Sequence, residues 1–262
     1  MKLSIIIVDY NSSKLIADCL NSWKQYRPNF SFEIIIIDNN SSENHLADYE
    51  KILPEVKTFR LDENKGYGSA NNYGSRFANG EYLVLLNPDT LIVDDSISKL
   101  LDFYESQPKL GALTCLLYGK DGQTLQKAFF GKFQSLFGLT IRRYNFQEID
   151  PSKDFMPSDI VTGACLMIKK SLFDKLGGFD ENFFMYLEDD DLCKRLTSLG
   201  YHNGVCTKAK IIHLEGQSFS SNRQKKEFYY KSQDYYWHKH NGLLATILMK
   251  IIRWPYRIVK SM

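Results

Sequence analysis

Short, nearly unbroken apolar runs alternate with helix-spaced stretches in the amino-terminal part of this chain, and few folds accommodate that alternation. Leu3 to Val8, Ile34 to Ile37 and Tyr82 to Leu86 are too short for buried helices and too continuously apolar for strands with a wet face. Between the first two, Leu15, Ile16, Cys19, Leu20 and Trp23 recur at helical spacing. The pattern predicts an α/β fold, a Rossmann-like, mostly parallel central sheet with helices on both faces. A chain of 262 residues, 44% hydrophobic and 24% charged, buries a full core as one large domain, alone or with a small appendage. Beyond residue 110 the pattern is more mixed. Gly119 to Gly122 reads as a turn, Arg142 to Pro157 as a polar loop, and Ile160 to Ile168 as a return to strand.

Several function classes are excluded early. The opening apolar run stops at Asp9 without a cleavage signature, so it reads as a strand rather than a signal peptide. Five scattered cysteines form no CxxC pair, which argues against a zinc or disulfide framework and fits a reducing cytosol. A net charge of only +2 does not support nucleic-acid binding.

In open α/β sheets, ligands sit beyond the carboxyl ends of the strands. Those positions are polar here: Asp9-Tyr10-Asn11-Ser12, Asp38-Asn39-Asn40-Ser41 and Asn87-Pro88-Asp89-Thr90. Ser12, Ser13, Asn40 and Ser42 are adequately explained as turn formers and caps, whereas Asp38 and Asp89 are candidates for ligand or metal contacts. Asn64 to Gly74 offers small residues at a helix start, but its glycines at 66, 68 and 74 miss the dinucleotide spacing.

The acids Glu188 to Asp191 open a helix whose apolar positions are Leu192, Cys193, Leu196 and Leu199. Acids in a first turn are favoured by the helix dipole alone. Asp190 and Asp191 have Lys194 and Arg195 four residues on and are expected to form surface pairs. Glu188 and Asp189 have no such partner, and Asp189 shares the inward stripe with Leu196. An inward, unpaired carboxylate suits a general base that takes a proton from a hydroxyl.

These motifs, in this order, resemble the family 2 glycosyltransferases of the GT-A fold, over roughly residues 3 to 240. Thr162-Gly163-Ala164 and Gly177-Gly178-Phe179-Asp180 extend the match, which is nearest to a bacterial branch described as rhamnosyltransferase-like. The resemblance implies that Asp38 contacts the nucleotide base or ribose, with Tyr10, Asn11, Asn39, Gly66, Asn72 and Asn87 also lining a nucleotide-sugar site. It implies that Asp89 is the last acid of a DxD metal motif, here Asn87-Pro88-Asp89, and that His213 contacts the metal or diphosphate. A lone histidine at a strand end also reads as structural. The implied ion is Mg2+ or Mn2+, and Asp189 is the implied general base. The implied reaction is inverting transfer from a UDP- or dTDP-linked sugar, rhamnose being one candidate. The acceptor is the hydroxyl of a saccharide or polyprenyl-diphosphate-linked saccharide in cell-envelope polysaccharide assembly. Two alternatives from other classes are an inactive nucleotide-sugar-binding module and a sugar-phosphate nucleotidyltransferase, which would release pyrophosphate.

The segment 241–262 reads as a basic amphipathic appendage to a 1–240 domain. Lys250, Arg253, Arg257 and Lys260 are expected along one helical face with Leu244, Leu248, Ile251 and Ile252 around it, and Pro255 is expected to kink the helix. Its apolar run from Leu243 to Met249 is too short to span a bilayer. This reading places the protein in the cytoplasm, peripheral at an anionic inner membrane face. His202, His238 and His240 are given no chemical role.

Overall fold

The strand-like runs become strands and the helix-spaced stretches become helices in the computed structural model, which describes residues 1–126, 130–140, 148–150, 152–214 and 222–259. In chain order the first half comprises β1 (Leu3–Asp9), α1 (Ser13–Gln25), β2 (Phe32–Asp38), α2 (Leu46–Ile52), β3 (Val56–Arg60), α3 (Tyr67–Ser75), β4 (Tyr82–Leu86), β5 (Thr90–Ile92) and α4 (Ser96–Ser106). The second half begins with β6 (Leu110–Tyr118), β7 (Phe130–Gly131), α5 (Leu136–Thr140), β8 (Phe155–Pro157) and β9 (Ile160–Val161). It ends with β10 (Cys165–Lys169), α6 (Lys170–Lys175), α7 (Glu188–Ser198), β11 (His202–His213) and α8 (Asn222–Val259).

The main sheet runs β3-β2-β1-β4-β10-β6-β11-β5, with β8 added against β11. Strands β3, β2, β1 and β4 are parallel. The far half is mixed: β10 lies antiparallel to β4 and β6, while β6 and β11 are parallel. Alternate side chains of β1 leave opposite faces of the sheet. Ile5 and Ile7 join Ile16, Cys19, Leu20 and Trp23 of α1, and Ile6 and Val8 join Ala70 of α3 and Leu192, Cys193 and Leu196 of α7. Each fully buried side chain of this size contributes roughly 1.5–3 kcal/mol. Gly74 permits the close seating of α3, because a Cβ there would lie 2.8 Å from Ile6 Cγ2.

Three expectations change on inspection. The polar loop expected over 142–157 ends in strand β8, which pairs with β11, while residues 142–147 and 151 lie outside the described residues. The strand expected over 160–168 is broken by a turn at Gly163 and Ala164 into β9 and β10, and that turn faces the site. The largest change concerns the tail. Helix α8 breaks at Gly242 (φ +79°), not at Pro255, and its backbone continues helical to Val259. Its second arm folds back on the first. Arg253 is buried, with Nη2 2.6 Å from Asp234 Oδ1 and Nη1 2.8 Å from Gln233 Oε1, while Lys250 Nζ lies 3.0 Å from Asp234 Oδ2. The described basic side chains therefore face their own helix, because Asp234 offers them a counter-charge there. The face turned outward is apolar: Leu243, Leu244 (79% exposed), Ile247, Leu248, Ile251 and Trp254 (64%). The side chain of Arg257 and all of Lys260 lie outside the described residues. Among the described residues no helix is long and apolar enough to cross a membrane.

Candidate active site

The parallel register brings the polar strand ends to one rim. Asp9 is paired with Asp38, and Ile7 with Leu86, so the Asn87-Pro88-Asp89 turn follows directly beside them. Asp38 is buried; its Oδ1 accepts the Ser41 N–H at 2.8 Å and its Oδ2 lies 2.8 Å from Arg60 Nη1. Asp9, which the sequence did not single out, is equally buried and accepts from Ser12 and from the Tyr49 hydroxyl at 2.6 Å. Tyr10 and Asn11 are exposed at the rim, and Asn11 is held in the left-handed region (φ +54°) by its side-chain bonds to Ser42.

Asn39 and Asn72 are occupied by the protein itself. Asn39 Nδ2 donates to Asn64 Oδ1 and to the Gly66 carbonyl, and its Oδ1 accepts from Lys65 N, so the side chain organises the loop before α3. Asn72 donates to the Phe179 carbonyl and to Glu181 and accepts the Phe179 N–H at 2.9 Å. Both ends of that amide are spent on joining α3 to the loop after α6. Gly66 has φ +86°, and a Cβ there would meet the Phe184 carbonyl oxygen at 2.1 Å, so only glycine fits the crossing of these two loops.

Asp89 and His213 are brought together by strand pairing. His213 is in register with Thr90 across β11 and β5, which sets His213 Nε2 3.3 Å from Asp89 Oδ1. The Gln126 amide fixes the ring. Its Nε2 donates to the His213 carbonyl at 2.9 Å, so its Oε1 faces His213 Nδ1 at 3.0 Å and receives a proton from it. In the neutral ring, Nε2 is then the electron-pair donor and points toward a carboxylate. Gln126 carried no sequence signal, because nothing in the local pattern shows that its segment folds back on β11.

Asp189 stands across the rim. Asn87 N donates to the Ala164 carbonyl, the neighbouring Gly163 N–H donates to Asp189 Oδ2 at 2.9 Å, and Tyr67 donates to the Gly163 carbonyl at 2.7 Å. Asp189 Oδ1 accepts the Asp190 N–H at 3.0 Å. Burial raises the Asp189 pKa above the usual carboxylate range, and these N–H groups oppose the rise. Glu188 is more enclosed, with a pKa driven well up by burial and then by the charge of Asp189, and its Oε2 is buried without a hydrogen bond. Of the two inward acids, Asp189 is the partly exposed one. Tyr186 and Leu187, immediately before this helix, take left-handed φ of +68° and +67° without being glycine, a strained entry of the kind concentrated at functional sites.

Of the two expected surface pairs, Asp191 with Arg195 forms but is buried at the carboxylate, and Asp190 with Lys194 does not form as an ion pair. Asp190 is buried, its pKa driven up by burial and then by Asp189 and Asp191, while Lys194 stands over the Phe133 and Tyr236 rings. Asp191 is fully enclosed and receives Arg195 Nε on one oxygen (2.7 Å) and both Lys239 Nζ (2.6 Å) and His240 Nε2 (2.7 Å) on the other. Helix periodicity identified Arg195, but partners on α8 lie beyond its reach. His240 therefore has a defined polar partner beside the site.

The sheet, the rim and the acid-opened helix define a glycosyltransferase of the GT-A fold, and the chain belongs to glycosyl transferase family 2, whose sequence pattern matches residues 4–177. A second pattern, described as the N-terminal domain of galactosyltransferase, matches residues 142–217. Within the family the chain is of the rhamnosyltransferase-like branch. It is 28% identical over 208 residues to the N-acetylglucosaminyl-diphospho-decaprenol L-rhamnosyltransferase of Mycobacterium tuberculosis (strain CDC 1551 / Oshkosh), covering 71% of this chain and 67% of that one. It is 26% identical over 171 residues to the rhamnosyltransferase WbbL of Escherichia coli (strain K12), covering 60% of this chain and 64% of that one. Among solved structures, GalNAc-T7 with UDP, GalNAc and Mn2+ superposes with a TM-score of 0.68 at 19% identity, covering 84% of this chain and 46% of that one. At that identity the likeness speaks for the fold alone.

Proposed function

We propose that this chain transfers a sugar, rhamnose by its relatives, from a UDP- or dTDP-linked donor to a hydroxyl with inversion at the anomeric carbon. The acceptor is a saccharide or polyprenyl-diphosphate-linked saccharide of the cell envelope, in keeping with the diphospho-decaprenol in the mycobacterial relative's name. The observation that carries the reading is Asp189: half-buried, pinned through both oxygens by backbone N–H groups, and of raised proton affinity. Such a group accepts a hydroxyl proton in a fixed direction, and the freed oxygen then attacks the sugar carbon from the face opposite the leaving diphosphate. Asp38 and the exposed Tyr10 are assigned to the nucleotide, with Asn11 and Asn87 beside them. Asn39, Gly66 and Asn72 shape that pocket from behind.

Asp89 and His213 fit a divalent ion, Mg2+ or Mn2+, because a carboxylate oxygen and an electron-pair-bearing imidazole nitrogen are held side by side. Among the described residues there is no cluster of three or more such ligands. Two protein ligands suffice where substrate diphosphate oxygens and water complete the shell. Bound there, the ion supplies charge neutralisation at the leaving diphosphate. Calorimetric titration of UDP and dTDP with and without Mn2+ checks this assignment. Asp89→Ala is expected to abolish the Mn2+-dependent gain in affinity, and His213→Ala to reduce it by a smaller factor. Metal-independent binding that neither change alters would remove the site.

Thermal stabilisation and nucleoside-diphosphate release across a panel of nucleotide sugars test the function as a whole. A stabilising donor that yields nucleoside diphosphate with an acceptor supports transfer. Stabilisation with no turnover would favour a binding module, and pyrophosphate release from a nucleoside triphosphate would favour a nucleotidyltransferase.

The same reading sets the protein at the cytoplasmic face of a membrane, where a polyprenyl acceptor resides. The outward apolar face of α8 supports attachment by insertion, since the described basic side chains of that arm are engaged with Asp234. Sedimentation with neutral and anionic vesicles is expected to be similar and to persist at high salt, and Leu244→Asp combined with Leu248→Asp is expected to abolish it. Absence of sedimentation, or an unaffected double variant, would remove the membrane role.

A further inference from the structure

The loop that delivers Asp189 runs from Gly177 to Leu187, and a single ammonium group from another element bridges its two ends. Lys239 Nζ lies 2.6 Å from Asp180 Oδ2 near the start of the loop and 2.6 Å from Asp191 Oδ1 just past its end. His240, the next residue, donates to the same Asp191 oxygen at 2.7 Å. The first arm of α8 also grips the middle of the loop. Tyr235 donates to Asp180 Oδ2 at 2.9 Å, Ser232 donates to the Met185 carbonyl at 2.6 Å, and Phe183 packs edge-on against Tyr235. Between these anchors Tyr186 and Leu187 hold two successive left-handed conformations, and a backbone of that kind persists only when its surroundings over-determine it.

We propose that Lys239 and His240 are positioning residues for the reaction: Lys239, by bridging Asp180 to Asp191, and His240, by its bond to Asp191, hold the left-handed entry to α7 that sets the Asp189 carboxylate against Gly163. The inference rests on the reading of Asp189 as general base. Each residue acts through Asp191 and touches neither substrate nor the reacting atoms.

Charge gives the arrangement a second consequence. The groups around Asp189 are Glu188, Asp190, Asp191 and Cys193 on its own helix, the Tyr67 hydroxyl from α3, and the Gly163 N–H. The cations that compensate this acidic turn are Lys194 on α7, acting on Asp190, and Arg195 on α7 and Lys239 on α8, which meet at Asp191 beside the His240 ring. Removing Lys239 leaves Asp191 less neutralised, so Asp191 binds a proton more readily. Any ion-pair partner of Asp191 would move that titration, so the separation from a merely structural role lies in the effect on kcat against KM and in rescue by Lys239→Arg.

The test compares Lys239→Met, Lys239→Arg and His240→Asn with the unaltered full chain. Hydrogen exchange over residues 180–191 reports the loop. Carboxyl 13C titration of aspartate-labelled protein, with Asp189 and Asp191 assigned from their Asn variants, reports the charges. Nucleoside-diphosphate release from a panel of UDP- and dTDP-sugars with Mn2+ reports turnover. Lys239→Met is expected to speed exchange across the loop, raise the Asp191 midpoint and lower kcat by about 10²-fold, the scale of a 1 Å misplacement, with donor KM nearly unchanged. Lys239→Arg is expected to recover most of the turnover, and His240→Asn to show the same pattern more weakly. Unchanged loop exchange or an unchanged kcat in Lys239→Met would overturn the proposal. Should Lys239→Met not fold, His240→Asn carries the same comparison. If Asp189 is not the base, Asp189→Asn keeps its turnover while Lys239→Met still alters exchange and the Asp191 midpoint. If only the positioning role is wrong, Asp189→Asn is inactive while Lys239→Met leaves loop exchange and kcat unchanged.

Discussion

Replacing Asp189 by Asn is expected to reduce sugar transfer by about 10²–10⁴-fold, the usual contribution of a positioned general base, while nucleotide affinity stays within a few fold. The substitution is nearly isosteric, and its amide oxygen can still accept the Gly163 N–H that Asp189 Oδ2 now accepts. The change removes only the proton acceptor. The proposed nucleotide site is built on other elements, with Asp38 at the end of β2 and Tyr10 after β1, so its geometry is expected not to depend on the charge of Asp189. Turnover and nucleotide binding measured on the same preparation check the result, and near-normal turnover would remove Asp189 from the mechanism.

Asp191→Ala is expected to destabilise the fold by about 3–5 kcal/mol, because it strips one partner from a buried ion cluster and leaves cations uncompensated. The carboxylate is fully enclosed, and it joins α7 to the first arm of α8 through Arg195, Lys239 and His240. Its proton affinity gives the loss a pH signature. Burial pushes Asp191 upward, yet the bonds from His240 and Lys239 and the charge of Arg195 prevail and hold it below the usual carboxylate value. A carboxylate with a lowered folded pKa contributes stability that is complete above its unfolded pKa of about 3.9 and is lost as pH falls through the folded value. The gap in stability between wild type and Asp191→Ala is therefore expected to be constant near neutrality and to shrink below about pH 3.9. Urea unfolding across that range measures it, and a gap of only a few tenths of a kcal/mol, as for an exposed helix pair, would contradict the buried cluster.

Much of the architecture was readable because its signals are local. Leu3 to Val8 and Ile34 to Ile37 announce doubly buried strands by their unbroken apolarity, and Ile16, Cys19, Leu20 and Trp23 announce one face of α1 by spacing. The rim followed from a general property of parallel sheets, which places every strand's carboxyl end on one side. Features that depend on contacts distant in sequence were not readable. Asp191 with Arg195 is a sound helix pair by spacing, but its burial is decided by α8, 49 residues on at His240. The second arm of α8 shows the same limit in reverse. Its periodicity correctly separates a basic face from an apolar one, yet which of them turns inward depends on Asp234, whose counter-charge drew Lys250 and Arg253 toward the first arm. Asn39 and Asn72 stand among residues that suit ligand contacts, but an amide bonds equally well to a nearby backbone, and here loops supply the partners.

The configuration of the transferred sugar tests the central claim most directly. With a donor from the UDP- and dTDP-sugar panel that turns over, the anomeric proton of the first-formed product is read by NMR before any mutarotation or secondary reaction. A single displacement assisted by Asp189 predicts an anomeric configuration opposite to the donor's in every product molecule. Retention of the donor's configuration would contradict that single displacement and the role given to Asp189.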